Sequence, residues 1–520
     1  MIHFMSVLGT SNYSECRYVW QPASNSFSAD GFSPDEYSYV GRFVQLASLK
    51  KVLQENPGQS IKISIFLTQK ARDENWESRK KNIAVELDEE LDAFREAYEE
   101  SHKDVKVRIA LSMQQQQDGL KKELEDFRAS YEEKYTGAQI EICDVDIPDG
   151  ASQDEQDMIV QKMYDQIGMK EVIVFDLTHG FRSIPILAMT ILNYARITKR
   201  IQVRGLYYGA FEAKHNNGSV PIFDMTYCDN MMQWASAADS FICTGRSEQI
   251  KRIIDDKDKV GINVSDQARK ALNSLYDLTN CLETSRGQDV EDGVSQKTQK
   301  SIRSAHGMFV LKFNNMTSAH KRGSAAEEAV LQGLLGSIKQ DVSVFDGKVR
   351  PKNTGRDGRL NETSIGISAV RWAISKNLTQ QGLTALEATI ITFVSEMCGF
   401  NSDRQLKLIA DIKTYPGRQC LSDALLRKNL QDLNVQQVSS TIHNKFHADD
   451  LKKLGKCCKE VKSARNSINH FGLTDSSSGY TYDGLNKILR AQFNIFLECV
   501  DSDCVCTDGN QNVLNWKVTE

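Results

Sequence analysis

The run VIVFDLTHGFRSIP, Val172 to Pro185, constrains this chain more than any other stretch. Val172 to Phe175 are β-branched and aromatic, as in a strand covered on both faces of a sheet. Asp176 stops the run. Thr178, His179, Gly180 and Arg182 fall in a turn. Ser183 is placed to cap a helix, and Pro185 suits that helix's first turn, where a missing N–H costs little. The apolar residues from Ile184 to Tyr194 continue the helix. A strand thus opens through a polar, glycine-containing turn onto a helix N-terminus. Backbone N–H groups point outward there, and the helix dipole favours an anion. Arg182 adds a fixed cationic fork. Taken alone, the stretch fits a plain strand-to-helix turn as well as a phosphate-binding one.

Its neighbours repeat the pattern. Residues 2–8 read as a first strand running into Gly9, Thr10, Ser11, Asn12 and Tyr13. Arg17 to Trp20 suits a hairpin arm, Ser24 to Asp35 a loop, and Val40 to Leu53 a helix. Ile61 to Leu67 is a second strand with Thr68 at its exit. Gln139 to Val145 and Ile201 to Tyr208 are further strands, the first closed by IPDG (Ile147 to Gly150), the second followed by Gly209 to Glu212. Strands alternating with helices predict an α/β domain with a mostly parallel sheet. Ligands of such sheets sit outside the carboxyl ends of the strands. Gly9–Tyr13, Thr68, Thr178–Arg182 and Tyr208–Glu212 all follow strand ends, so they are expected along one rim. Two charged rods lie between the second and third of these strands. Leu87, Leu91, Phe94 and Tyr98 make one apolar stripe; Leu120, Leu124, Phe127 and Tyr131 make another. Each predicts a helix packed on the sheet or on its twin.

With 520 residues the chain has room for two to four domains. Its net charge of −5 supplies no global field for nucleic acid, so any such site is local. No apolar run is long enough for a bilayer, and the N-terminus lacks the basic start of a signal peptide. The 12 cysteines include no Cys-x-x-Cys pair, which argues against zinc and for reduced thiols in a cytoplasmic protein. Six of the 8 prolines precede residue 225, so the second part has room for long helices. The expected division is a sheet domain at 1–225 with a helical insert near 77–135, a helical connector at 226–366, and a helical domain at 367–520. Within the connector, 342–366 is rich in Gly, Lys, Arg and Asn and reads as a solvated basic linker.

A second constellation is LKKLGKCCKEVKSARNSINHFG, residues 451–472. Its lysines, among them Lys456, Lys459 and Lys462, face only Glu460. Asn466 and His470 are four apart and share a helix face. Arg465 and His470, five apart, can border a seam with a second helix. Lysines hold an RNA backbone electrostatically, arginine stabilises phosphorane charge, and histidine moves protons near neutral pH. A charged surface helix is the competing reading of that spacing. His443 and His447, with Asp449 and Asp450 nearby, have metal-ligand spacing, but no Glu follows His443 as in zinc proteases, and no metal is assigned.

Together these residues resemble the CARF–HEPN proteins of type III CRISPR systems. The resemblance rests on SVLGTSNY (Ser6–Tyr13), IFLTQKARDENW (Ile65–Trp76), IPDG, DLTHGFRSIP, YYGAFEA (Tyr207–Ala213) and PIFDMT (Pro221–Thr226), and downstream on Arg465 to His470. It implies a Rossmann-like CARF sensor followed by an all-α HEPN ribonuclease domain. The sensor would dimerise and bind cyclic oligoadenylate, cyclic tetra-adenylate by family, through Gly9, Thr10, Ser11, Asn12, Thr68, Thr178, His179, Gly180 and Arg182. Two HEPN helices would form one metal-independent site for single-stranded RNA. Arg465 would neutralise the phosphate, His470 transfer a proton and Asn466 position them, with Lys456, Lys459 and Lys462 holding the strand. The substrate 2′-hydroxyl would attack, leaving a cyclic phosphate. The resemblance also allows a sensor or ring nuclease whose HEPN part is scaffold. It implies a homodimer or higher homo-oligomer, no cofactor beyond the activator and no membrane.

Overall fold

The computed structural model describes residues 1–11, 13–20, 35–77, 79–80, 116–180, 183–259, 265–287, 290–291, 298–319, 326–352, 360–400, 403–469, 480–506 and 512–518. The chain folds as two compact units, Met1–Asn230 and Met231–Glu520.

The first unit is built on an eight-stranded sheet. Its strands are β1 (Ile2–Val7), β2 (Cys16–Val19), β3 (Ser38–Gly41), β4 (Ile61–Leu67), β5 (Ile140–Asp146), β6 (Val172–Asp176), β7 (Gln202–Gly209) and β8 (Val220–Asp224). In space they run β3-β2-β8-β7-β6-β1-β4-β5. The five strands from β7 to β5 are mutually parallel. β8 closes antiparallel on β7, and β3 antiparallel on β2. This is the mostly parallel, Rossmann-like sheet that the alternation predicts.

Both faces of the sheet are covered. Phe4, Ile63, Ile65 and Val174 share one core with Leu46, Leu49 and Leu53 of helix α1 (Val44–Glu55) and Leu120, Leu124 and Tyr131 of α2 (Leu120–Lys134). Met5, Val7, Phe66, Ile173 and Phe175 share the other with α3 (Gln153–Gln166) and α4 (Ile184–Thr198), through Ile159, Met163, Ala188 and Ile191. Neighbouring side chains of one strand enter opposite cores, as the period of two requires. The charged rod over 120–134 therefore packs on the sheet. The rod over Leu87–Tyr98 lies outside the described residues. Helix α1 begins at Val44 rather than Val40, because 38–41 instead pair with Cys16–Val19. Ser183 does not cap α4. Its backbone is already helical (φ −75°, ψ −28°), whereas a cap needs extended dihedrals to aim its hydroxyl at the next turn.

The second unit is helical, with α5 (Thr226–Thr244) the helix at which the chain passes from one unit to the next. Helices α6 (Glu248–Lys259), α7 (Asp266–Glu283), α8 (Ile302–Ala319) and α9 (Ala326–Asp341) follow. Then come α10 (Asn361–Ser375), α11 (Thr379–Cys398), α12 (Arg404–Ala410), α13 (Tyr415–Leu425), α14 (Leu433–Lys445), α15 (Ala448–Asn469) and α16 (Tyr482–Asp503). They enclose two cores, and α10 serves both. Ile365, Ala369 and Trp372 enter one with α7 and α8, while Ile367, Val370 and Ile374 enter the other with α11, α15 and α16.

The solvated-linker reading of 342–366 fails over its described parts. Val342, Phe345, Val349 and Leu360 are buried, and β9 (Val349–Pro351) pairs antiparallel with β10 (Cys504–Cys506). Lys352 N–H continues that pairing to Asp503 O at 2.8 Å. Residues 353–359, with Arg356 and Arg359, lie outside the description.

Ile63 has no exposed surface and sits between two parallel neighbours. Ile63→Ala is expected to destabilise the first unit by about 2–5 kcal/mol, the usual range for emptying a core aliphatic site. Urea unfolding checks it; an unchanged midpoint would contradict the two-faced core.

Candidate functional site: a polar rim and a basic helix

The carboxyl ends of β1, β4, β6 and β7 come level because their registers match: Ser6 stands beside Asp176, and Asp176 beside Tyr207. Thr178 is the junction of the rim. Its hydroxyl donates to Asp176 Oδ1 at 2.5 Å and accepts from Gly209 N–H at 2.8 Å. Asp176, fully buried, also accepts from Ser6 Oγ at 3.0 Å and from Thr178 N–H at 3.1 Å. Burial pushes its carboxyl up to about 6, against the pull of those bonds.

His179 stands over Gly9. A Cβ on Gly9 would come within 3.0 Å of the Tyr13 hydroxyl and 3.4 Å of the His179 ring, so only glycine lets the two loops approach. Tyr13 meets His179 edge-on at 4.9 Å, and the Phe211 ring lies 6.2 Å from His179. Burial pushes the imidazole down to about 4, and Nε2 has no partner. Gly180 holds φ +118°, a left-handed value that a side chain would strain.

The first loop is tied down from below. Asn75 donates its side-chain N–H groups to Gly9 O (2.9 Å) and Ser11 O (3.1 Å), leaving Thr10 and Ser11 exposed. Gly9 N–H is itself taken by Tyr13 Oη at 3.0 Å. The Thr68 hydroxyl is also engaged: it caps the turn that carries Asn75, accepting from Ala71 N–H at 3.2 Å. The structure thus brings Gly9, Thr178 and His179 together, with Thr68 at the end of the adjacent strand. Asn12 and Arg182 lie outside the described residues. Tyr13 and Phe211 lie on the rim within the two stretches, Gly9–Tyr13 and Tyr208–Glu212, expected there, although neither is among the expected ring contacts. Asp176, expected only as the end of its strand, is the rim residue that the sequence did not signal.

Comparison with known proteins gives this rim a family. Residues 4–212 match the family model described as CRISPR system endoribonuclease Csx1, CARF domain. Over those residues the chain is similar to the CARF domains of CRISPR-associated proteins. A relative, the CRISPR-associated protein MJ1674 of Methanocaldococcus jannaschii, is 26% identical over 101 residues, 19% of this chain and 16% of that protein. The chain thus spans under a fifth of that relative's length in the match. The CARF match ends before the second unit begins, and the second unit's chemistry stands on its own residues.

In the second unit, α15 carries the basic constellation. At 100° per residue, Lys459, Lys462 and Asn466 fall within about 60° of one another, with Arg465 a further 60° around. Lys459 is exposed. Lys456 is exposed and 3.9 Å from Glu460, and Lys462 Nζ is 3.4 Å from Ser422 Oγ. Arg465 is not free. Its Nη1 lies 2.9 Å from Glu387 Oε2 on α11, and its Nη2 donates to Asn466 Oδ1 at 2.7 Å. Helix α15 is described as far as Asn469; His470 lies outside the described residues. His443 uses Nδ1 on Ser439 O at 2.8 Å. Among the described residues no three His, Cys, Asp or Glu side chains converge as metal ligands, and no helix is long and apolar enough to cross a membrane.

A cavity of about 400 Å³ opens in this unit, with Arg286, Glu362, Trp372, Gln381, Lys413 and Arg418 in its wall. In the CARF domain, His3 joins Ser64 Oγ (2.8 Å) and Glu171 Oε2 (2.7 Å) in the order of a nucleophile relay. His3 and Ser64 have no exposed surface, so no substrate reaches the hydroxyl; the trio satisfies buried polar groups.

The CARF rim carries two opposed titrations. Unfolded Asp and His titrate near about 3.9 and 6.5. Asp176, raised in the folded state, keeps a proton that the unfolded chain loses, so it removes stability as pH rises from about 4 to 6. His179, lowered, stays neutral where the unfolded chain is protonated, so it adds stability as pH rises from about 4 to 6.5. The two offset each other. Asp176→Asn is expected to steepen the gain in stability toward pH 6.5, and His179→Gln to turn it toward a loss, in denaturation series across that range. Parallel pH profiles for all three proteins would refute the pairing.

Proposed function

We propose that this protein is a metal-independent endoribonuclease switched on by a cyclic oligoadenylate, with the CARF domain as sensor and the second unit as a HEPN-type nuclease. What carries the reading is a CARF-like domain followed in the same chain by a lysine-lined helix, Ala448–Asn469, that carries Arg465 and Asn466 near its C-terminal end. The ring is negatively charged and rich in hydroxyls. The rim offers it the N-terminus of α4, the exposed Thr10 and Ser11, and the loop of Thr178 to Gly180, with Asn12 and Arg182 from the adjoining stretches. Thr68, at the end of β4, supports the Gly9–Ser11 loop through the turn that carries Asn75.

In the second unit the reaction asks for three things: neutralisation of the attacked phosphate, transfer of the 2′-hydroxyl proton to the leaving 5′-oxygen, and a grip on the strand. Arg465 supplies the first, His470 the second, with Asn466 holding Arg465, and Lys456, Lys459 and Lys462 supply the third. Two protomers contribute the Arg and His groups to one site, so the active form is a homodimer or a higher assembly. The ring stabilises the arrangement in which the two copies of α15 are correctly spaced. The substrate is single-stranded RNA, the products carry 2′,3′-cyclic phosphates and 5′-hydroxyls, and the setting is cytoplasmic.

Labelled single-stranded RNA incubated in EDTA with cyclic tetra-adenylate should be cut, and RNA without the ring should not. Arg465→Ala and His470→Ala should each lower the rate by about 10²–10⁴-fold, the span associated with removing a charge-stabilising or proton-transferring group, while ring binding persists. RNA cut equally fast by either variant would end the catalytic assignment. An uncut RNA beside a slowly opened ring would favour a sensor or ring nuclease.

A further inference from the structure

Resting on the nuclease reading above, we propose that Glu387, braced by Arg418, is a positioning residue that fixes the Arg465 guanidinium for the RNA phosphate. Glu387 lies on α11, 78 positions before Arg465, and only 7% of its surface is exposed. Its Oε2 sits 2.9 Å from Arg465 Nη1 without the alignment of a hydrogen bond. The pair is a charge contact, and it leaves the arginine's donors unspent. Arg465 Nε is buried with no partner at all.

A buried donor left without an acceptor is destabilising. An ion pair placed only for stability would have its forks aligned and its donors satisfied. Here the carboxylate sets where the guanidinium lies, the Asn466 amide oxygen sets its roll through Nη2, and the remaining N–H groups of Nη1 and Nη2, rather than the buried Nε, are left for further oxygens. A phosphodiester presents two such oxygens, and arginine's planar fork matches them.

Arg418 adds a second cation near Glu387. Its guanidinium is partly buried and donates to Ala388 O at 3.0 Å, one residue beyond Glu387 on the same helix, and to Ile412 O at 3.4 Å. Burial lowers its pKa, and the charge of Glu387 opposes that shift, so the two groups stand within electrostatic reach. The order Arg418, Glu387, Arg465 alternates in sign. The carboxylate lies in the field of a cation pinned to backbone carbonyls, and its buried Oε2 faces Arg465 Nη1.

The test uses the full-length protein with saturating cyclic tetra-adenylate and labelled RNA. Glu387→Gln keeps the shape and removes the charge. It should lower kcat about 10–100-fold, as expected for a catalytic group displaced by an ångström or less, with KM changed under about threefold and ring affinity unchanged. Glu387→Asp, which keeps the charge on a shorter arm, should recover part of the lost kcat. If the Gln variant fails to fold by thermal melting, Glu387→Asp and Arg418→Lys carry the test, each with a normal melt and a reduced kcat. An active wild type together with folded variants of unchanged kcat would overturn the proposal and leave the nuclease reading intact. So would a loss of kcat that follows the melting temperature across all the variants. A wild type that cuts no RNA with any ring size would overturn the nuclease reading and this proposal with it.

Discussion

The first unit depends on its sheet being covered on both faces. A strand between two apolar layers has nowhere to put a polar side chain that needs water. β1 obeys this along its whole length: all six of its residues are buried, and its one histidine is satisfied on both ring nitrogens. Groups that meet a ligand are therefore confined to the points where strands stop. Because the central strands are parallel and in register, those points fall on one edge. The gathering of Gly9, Thr178, His179 and Gly209 is a consequence of how the core packs.

That dependence explains what the sequence made legible. Val172 to Phe175 declares itself a strand because burial on both faces leaves a continuous apolar run, Ile61 to Leu67 by its alternation, and their exits mark the rim. The rim's inner wiring was not legible. Asp176 looked like a stop signal and proved to be the carboxylate that orients Thr178, since its burial depends on helices far away in sequence. Val40 and Gly41, the end of the strand at 38–41, look like the start of the following helix, because the strand's partner, Cys16–Val19, lies across a long intervening stretch. The error over 342–366 has the same origin. Lysines and arginines dominate its composition, but Val342, Phe345, Val349 and Leu360 decide its placement, and its strand partner at 504–506 is some 150 residues away.

In the second unit the sequence offered Arg465 and concealed its partner. Glu387 sits in TQQGLTALEATIITFV, where a single acid among apolar residues reads as the solvated edge of a helix. Helix packing reverses that reading. With Leu383, Leu386 and Ile390 drawn into the core, the turn bearing Glu387 faces inward toward α15. Nothing local in the chain signals this, because the cation that makes the burial tolerable comes from another helix.

The two units thus meet the same physical problem with different means. In each, a carboxylate is withdrawn from water and used to orient a neighbouring group. Asp176 is surrounded by neutral donors, Ser6 and Thr178, which support the charge incompletely, and its proton affinity rises accordingly. Glu387 instead faces Arg465 at 2.9 Å and stands within the field of Arg418. The choice suits what each carboxylate holds. A hydroxyl that must donate at one end and accept at the other needs only a directional acceptor beneath it, and Thr178 joins two strand ends in that way. A guanidinium that is to meet a phosphate needs a counter-charge strong enough to fix its place and loosely enough aligned to leave its donors open.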